Sequence, residues 1–177
     1  MMTVLRGRRS GFLWSLALFC ALCIGTPIAI FASGSPLLGE VQARWSTWQT
    51  RDMVDVVRGY RAGEQAALLT LSDDVLAQLP VFAQGEALDM LGLSVRTLRA
   101  QGVYAKIEDV SFKVERVAPQ DPYVFVTTDE VLTFATYALT PGDGSALERK
   151  TGTWEVLYQL ARDEGRWKVA KVVATEK

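Results

Sequence analysis

The stretch at 153–177, TWEVLYQLARDEGRWKVAKVVATEK, decides the fold. Trp154, Val156, Tyr158 and Leu160 fall on one side of a period of two, with Thr153, Glu155 and Gln159 on the other. Asp163-Glu164-Gly165 is turn chemistry. Trp167 and Val169 begin a returning strand, in which Lys171 breaks strict alternation. The stretch therefore reads as a hairpin with an aromatic face, and such a face needs a cover.

The period of two extends upstream. Val110, Phe112 and Val114 alternate with Ser111, Lys113 and Glu115. YVFVTTDEVLTFATYAL (123–139) is long and rich in β-branched and aromatic residues, as strands are. Its even-numbered face (Val124, Val126, Leu132, Phe134) is interrupted at Asp129-Glu130, which predicts a bend or bulge there. TPGDGSALERKTG (140–152) reads as a loop and lacks the setting and the lysine of a phosphate-binding loop.

Before residue 103 the period is helical. Val41, Trp45 and Trp48, then Met53, Val57 and Tyr60, recur at spacings of four and three with a slip near Arg51-Asp52. A bent helix, or two in succession, ending at Gly63 is expected. EQAALLTLSDDVLAQLP (64–80) gives two short helical pieces, the second capped by Ser72, with Asp73 and Asp74 at its positive end and Pro80 as its stop. In GEALDMLGLSVRTLRAQG (85–102), Leu88, Leu91, Val95 and Leu98 form the apolar stripe and Gly102 the C-terminal stop; Arg96 and Arg99 lie off the stripe. Helices followed by consecutive antiparallel strands define an α+β domain with the helices on one face of a curved sheet.

Residues 11–32, GFLWSLALFCALCIGTPIAIFA, carry no charge and are long enough to span a bilayer. The preceding RGRR places the N-terminus in the cytoplasm. The expected organisation is a cytoplasmic tail (1–10), a transmembrane anchor (11–32), a juxtamembrane linker or helix (33–48) and a folded domain (49–177) outside the cytoplasm, on the inner membrane. A cleaved signal peptide, with Ala32-Ser33-Gly34 as its site, is the alternative; the apolar run exceeds the usual signal-peptide core.

Composition narrows the chemistry. The net charge of −1 conceals an asymmetry: Arg6, Arg8 and Arg9 are the only charges before Glu40, leaving 16 basic against 20 acidic residues, about −4, in the remainder. A mildly acidic domain without a basic cluster argues against nucleic acid. The chain has no histidine, which removes Ser-His-Asp and Cys-His triads, histidine-ligated zinc and any histidine pH switch. Its two cysteines, Cys20 and Cys23, lie in the apolar run, so the domain has neither disulfide nor thiolate site. No cofactor and no metal are expected.

The order of elements resembles the nuclear transport factor 2-like cone, about three helices packed on a curved, mostly antiparallel four-stranded sheet. The resemblance rests on VVRGYRAGEQAALLTL (56–71), similar to that superfamily's first helix and turn, and YQLARDEGRWKVAKVVA (158–174), similar to its terminal hairpin. LRAQGVYAKIEDVSFKVERV (98–117) followed by that hairpin looks most like the IMS-type domain of plastid-division and cyanobacterial membrane proteins. An anchor before such a cone also resembles assembly factors of bacterial type IV secretion.

The resemblance implies a cavity between helices and sheet, where enzymes of the class place Asp, Tyr or His groups. Here Asp55, Tyr60 and Tyr158 are the residues that could meet inside it. The adjacent pairs Glu108/Asp109 and Asp129/Glu130 point to opposite faces if in strands, so neither pair forms a dyad. The expectation is a non-enzymatic, single-pass membrane protein whose domain binds another protein or itself in an envelope assembly. Tyr137, Leu157 and Val172 on the open sheet face are its candidate surface, and Met90, Phe134, Trp154 and Trp167 would fill the cone. The alternative is binding of a small apolar ligand, or lyase- or isomerase-type catalysis, in an open cavity.

Overall fold

The computed structural model describes residues 47–140 and 145–177, with side chains from residue 50 onward. The segment expected to cross the membrane lies outside the described residues; among them no helix is long and apolar enough to span one.

Helix α1 runs unbroken over Thr47–Thr70. Its buried stripe, Met53, Val57 and Tyr60, then Ala67, Leu68 and Leu71 at its end, continues the spacing read from sequence. Gly63 does not end it. A β-carbon at Gly63 would lie 2.4 Å from Leu79 Cδ2, and one at Gly59 would lie 2.4 Å from the Phe82 ring. The two glycines admit a crossing segment against the helix, and that need outweighs their poor helix propensity.

Helix α2 (Asp73–Gln78) starts on Ser72, whose Oγ accepts from the Asp74 N–H at 3.2 Å, with Asp73 and Asp74 in the first turn. A 3₁₀ turn, Leu79–Val81, follows. Helix α3 (Glu86–Gln101) buries Ala87, Leu91 and Val95 and ends on Gly102, left-handed at φ 70°. Arg99 is more than a solvated charge: it pairs with Asp73 at 3.0 Å and donates to the Leu71 carbonyl, fastening α3 to the start of α2.

The sheet is a meander, β1 (Val103–Gln120), β2 (Tyr123–Ala138), β3 (Glu148–Asp163) and β4 (Arg166–Glu176), antiparallel throughout in the order β1-β2-β3-β4. Glu164 and Gly165 both have positive φ (49° and 79°), the primed turn that suits the twist of the terminal hairpin. β3 begins at Glu148, so the second half of the expected 140–152 loop is strand, pairing with β2 from Leu132 to Thr136.

No bulge occurs in β2. Its register with both neighbours is continuous through Asp129 and Glu130, and Glu130 extends the buried even face. The irregularities lie on the partner strands: between Asp109 and Ser111 and between Val114 and Arg116 in β1, and opposite Gln159/Leu160 in β4. Val110, the extra residue at the first, is 64% exposed while Phe112 and Val114 pack inward. Ala170, the extra residue at the third, shifts parity beyond it, so Val172 pairs with the buried Tyr158 and packs on the core. Val172 therefore does not share the open face with Leu157; Val173 does.

The chain also covers part of one sheet edge. Residues 82–84 lie alongside β4, with Val169 N–H donating to Phe82 C=O and Gln84 N–H to Val169 C=O, both at 2.8 Å.

Trp154, half-buried, packs against both hydrophobic clusters under the helices, while its indole Nε1 is buried without a hydrogen-bond partner among the described residues. Trp154→Ala should cost roughly 2–4 kcal/mol from lost packing, whereas Trp154→Phe, which forfeits no hydrogen bond, should cost about 1 kcal/mol or less. Thermal or denaturant unfolding of the two variants checks the contrast.

Candidate functional site

Under α1 lies a charged cluster assembled from four elements. On α1, Arg61, Glu64 and Gln65 occupy i, i+3 and i+4 positions and so share a side of the helix. β1 contributes Asp109, held on the inner face by its register with Leu132. β2 contributes Thr128 and Glu130, and β3 contributes Tyr158. The bulge at Val110 lets Asp109 and Phe112, three apart, both face the helix.

Glu130 is fully buried. Its Oε1 accepts from Tyr158 Oη at 2.7 Å and from Thr128 Oγ1 at 2.6 Å, and its Oε2 lies 3.1 Å from Arg61 Nη2. The same Arg61 nitrogen donates to Asp109 Oδ1, and Arg61 Nη1 lies 3.5 Å from Glu64 Oε2. Gln65 Nε2 donates to Asp109 Oδ2 at 2.7 Å. Tyr60 meets Tyr158 edge-on at 6.3 Å.

The electrostatics follow from burial. Burial opposes the charge on Arg61, but attraction to Tyr158, Glu64, Glu130 and Asp109 exceeds that penalty and holds its pKa above the ordinary arginine value. Burial pushes the Tyr158 hydroxyl well above the usual tyrosine range, against the pull of Arg61, with Glu130 adding to the rise. Tyr158 is therefore a hydrogen-bond donor to Glu130 rather than a base. Burial raises Glu64 to about 7 against the pull of Arg61, with Glu130 and Asp109 adding to the rise. Glu64 is thus a proton-exchanging group near neutrality. Among the described residues no three His, Cys, Asp or Glu side chains are arranged to hold a metal.

Of the three cavity residues expected from sequence, Tyr60 and Tyr158 do meet. Asp55 does not join them: it stands on the exposed side of α1, between Arg51 and Arg58. The residues missed are Arg61, Glu64, Asp109 and Glu130. Neither adjacent acid pair forms a dyad, yet one member of each pair, Asp109 and Glu130, converges on Arg61. The missed signal was a charge at a buried phase on two elements at once. Arg61 follows Val57 by four in the helical stripe, and Glu130 sits between Val126 and Leu132 on the even face of β2.

The open face of the sheet is largely polar. Lys177 bridges Asp129 and Glu155, Lys106 and Arg149 flank Glu108, and Thr133 bonds Thr151 at 2.8 Å. Within that lattice Tyr137 stacks on Tyr104 at 5.1 Å, and half-buried Leu157 lies between Thr127 and Val173.

No protein-family profile matches this sequence, and no curated protein does. Solved structures do. The intermembrane-space region of the chloroplast protein ARC6 superposes with a TM-score of 0.60 at 13% identity, over 76% of this chain and 99% of that one. A periplasmic fragment of TraM superposes with a TM-score of 0.50 at 12% identity, over 75% of this chain and 99% of the fragment. These likenesses show the fold alone: helices packed on a four-stranded antiparallel meander, the architecture that the resemblance to the nuclear transport factor 2-like cone implies. Its likeness to the intermembrane-space region agrees with the IMS-type resemblance of residues 98–117 and the terminal hairpin.

Truncating one member of the buried pair strands the other. Arg61→Leu alone should destabilise the domain by about 3–5 kcal/mol, and Arg61→Leu with Glu130→Leu should recover much of that loss. Denaturant unfolding of the singles and the double provides the cycle.

Because Glu64 binds its proton more tightly folded than unfolded, its contribution to stability is full below about pH 4.5 and is lost as pH rises toward about 7. The parent should lose about 1–3 kcal/mol between those limits. In Glu64→Gln this slope should disappear, as read from unfolding midpoints across the range.

Proposed function

We propose that this chain is a non-enzymatic, membrane-anchored protein whose cone domain stands outside the cytoplasm and binds another protein, or a second copy of itself, in the cell envelope. The observation that carries this reading is the filling of the cone. Val57, Tyr60, Tyr158 and Leu160 occupy the space between helices and sheet, with Trp154 and Trp167 packed around them. Phe134 packs on the neighbouring cluster of Ala67, Leu91, Val95 and Ile107, and Met90 joins neither. The carboxylate at the centre, Glu130, is engaged by Arg61, Tyr158 and Thr128. The uncharged run at 11–32 behind three arginines supports the anchor. An intermembrane-space region and a periplasmic fragment among the folds of this shape accord with a domain outside the cytoplasm.

A second reading, a small apolar molecule bound or transformed in the cone, draws on one observation. Glu64 at the edge of the cluster exchanges a proton near neutrality, the range in which a general acid or base works best.

The experiment compares two double substitutions in the anchored protein, assayed by cross-linked adducts recovered from its own membrane. Tyr137→Ser with Leu157→Ser alters the open face; Glu64→Gln with Tyr158→Phe alters the cluster. With both variants folded and membrane-bound, adducts should vanish for the surface pair and persist for the cluster pair. The reverse pattern replaces the interaction reading with the small-molecule one.

A further inference from the structure

Arg61 faces Glu64 on its own helix, Asp109 on β1 and Glu130 on β2, while Tyr158 on β3 donates to Glu130. With all three carboxylates ionised, one cation meets three anions in a seam largely closed to water, and like charges held that close resist joint ionisation. One atom marks the shortfall: Glu130 Oε2, 3.1 Å from Arg61 Nη2, is buried without a hydrogen bond among the described residues and is held by charge alone.

We propose that this cluster is a proton-operated latch between helix α1 and the edge strand β1. With a proton on Glu64, Arg61 is left to Asp109 and Glu130 and clamps the helix onto the sheet. When the proton leaves, the Glu64 carboxylate draws the guanidinium through Nη1 and repels Asp109 and Glu130, so the Arg61–Asp109 contact loosens.

Asp109 is the partner that yields because Glu130 Oε1 accepts from both Thr128 and Tyr158 and the side chain has no exposed surface. Asp109 keeps 35% of its side chain exposed and adjoins the bulge at Val110, on a strand that pairs with β2 alone. Gln65 is its second clasp and carries no charge. Glu64, with 24% of its side chain exposed, exchanges protons with water without the seam first opening. Arg61 and Gln65 on α1, Asp109 on β1, Glu130 on β2 and Tyr158 on β3 are the groups around it, and burial brings it to about 7. A chain without histidine thereby acquires a group that titrates where histidine ordinarily does. Such a latch is useful where pH follows the surroundings, so its use, though not its mechanism, rests on the proposed location outside the cytoplasm.

Hydrogen–deuterium exchange on the full chain in detergent, corrected for the intrinsic pH dependence of amide exchange, tests the latch wherever the protein resides in the cell. Between about pH 5.5 and 8.5, peptides covering 103–112 should lose roughly tenfold in protection, while the β3–β4 hairpin keeps its own. In Glu64→Gln, which fixes the uncharged form, 103–112 should remain protected throughout. The same pH response in Glu64→Gln as in the parent overturns the proposal, as does an equal loss across all peptides. A carboxyl NMR titration of the unsubstituted chain stands apart from any variant's folding: the midpoint of β1 opening must coincide with the titration of Glu64, and a mismatch also overturns the latch.

Discussion

A charge pair at the centre of the cone constrains everything around it. A carboxylate out of water is tolerable only with a cation and hydrogen bonds at hand, and Glu130 has Arg61, Tyr158 and Thr128. Those partners come from α1, β2 and β3, so the requirement fixes the helix against the sheet in rotation as well as position. A turn of α1 by one residue would carry Arg61 away from Glu130 and set an apolar side chain against it. Hydrophobic burial makes the domain compact, and the buried pair selects one docking of the helix among the several that burial alone would accept.

The same pair explains where the sequence was legible and where it was not. The terminal hairpin, the cap at Ser72, the stop at Gly102 and the stripes of α1 and α3 depend on neighbours within a few residues, so local spacing reveals them. Asp129-Glu130 misled because a buried charge in a strand looks, in one dimension, like a break. Its partner lies in a helix almost seventy positions earlier, and no local pattern connects them. Gly63 misled for a related reason, since a glycine that admits Leu79 looks the same in sequence as one that ends a helix. Val172 was assigned to the wrong face because one extra residue, Ala170, reverses parity, and Lys171 was the only sign of it. The candidate cluster was half legible. Its tyrosines stood on readable apolar faces, while its charges stood where the pattern forbade them.

The two sheet faces divide the labour. The inner face carries the buried pair and the aromatic packing, whereas the outer face is laced by ion pairs and threonines that contribute little stability each and keep a broad flat surface soluble. Tyr104 with Tyr137, and Leu157 with Val173, are apolar islands in that lattice. A partner bound there would meet small greasy anchors ringed by charge, the composition of a specific but reversible contact.

The bridge between residues 82–84 and Val169 carries a consequence for the order of assembly. Each strand pairs with its sequence neighbour, and both two-residue connections, at 121–122 and 164–165, close almost without loop entropy. The bridge is different: it joins Ala83 to the last strand across nearly the whole domain. The meander can zip in local steps, while the segment crossing Gly59 and Gly63 must wait for β4 to exist before it can lie down beside it. During synthesis, then, Ala67, Leu68, Leu91 and Val95 can be covered by Ile107 and Leu132 as soon as the first two strands form, while residues 82–84 gain their edge contact only when the final strand leaves the ribosome.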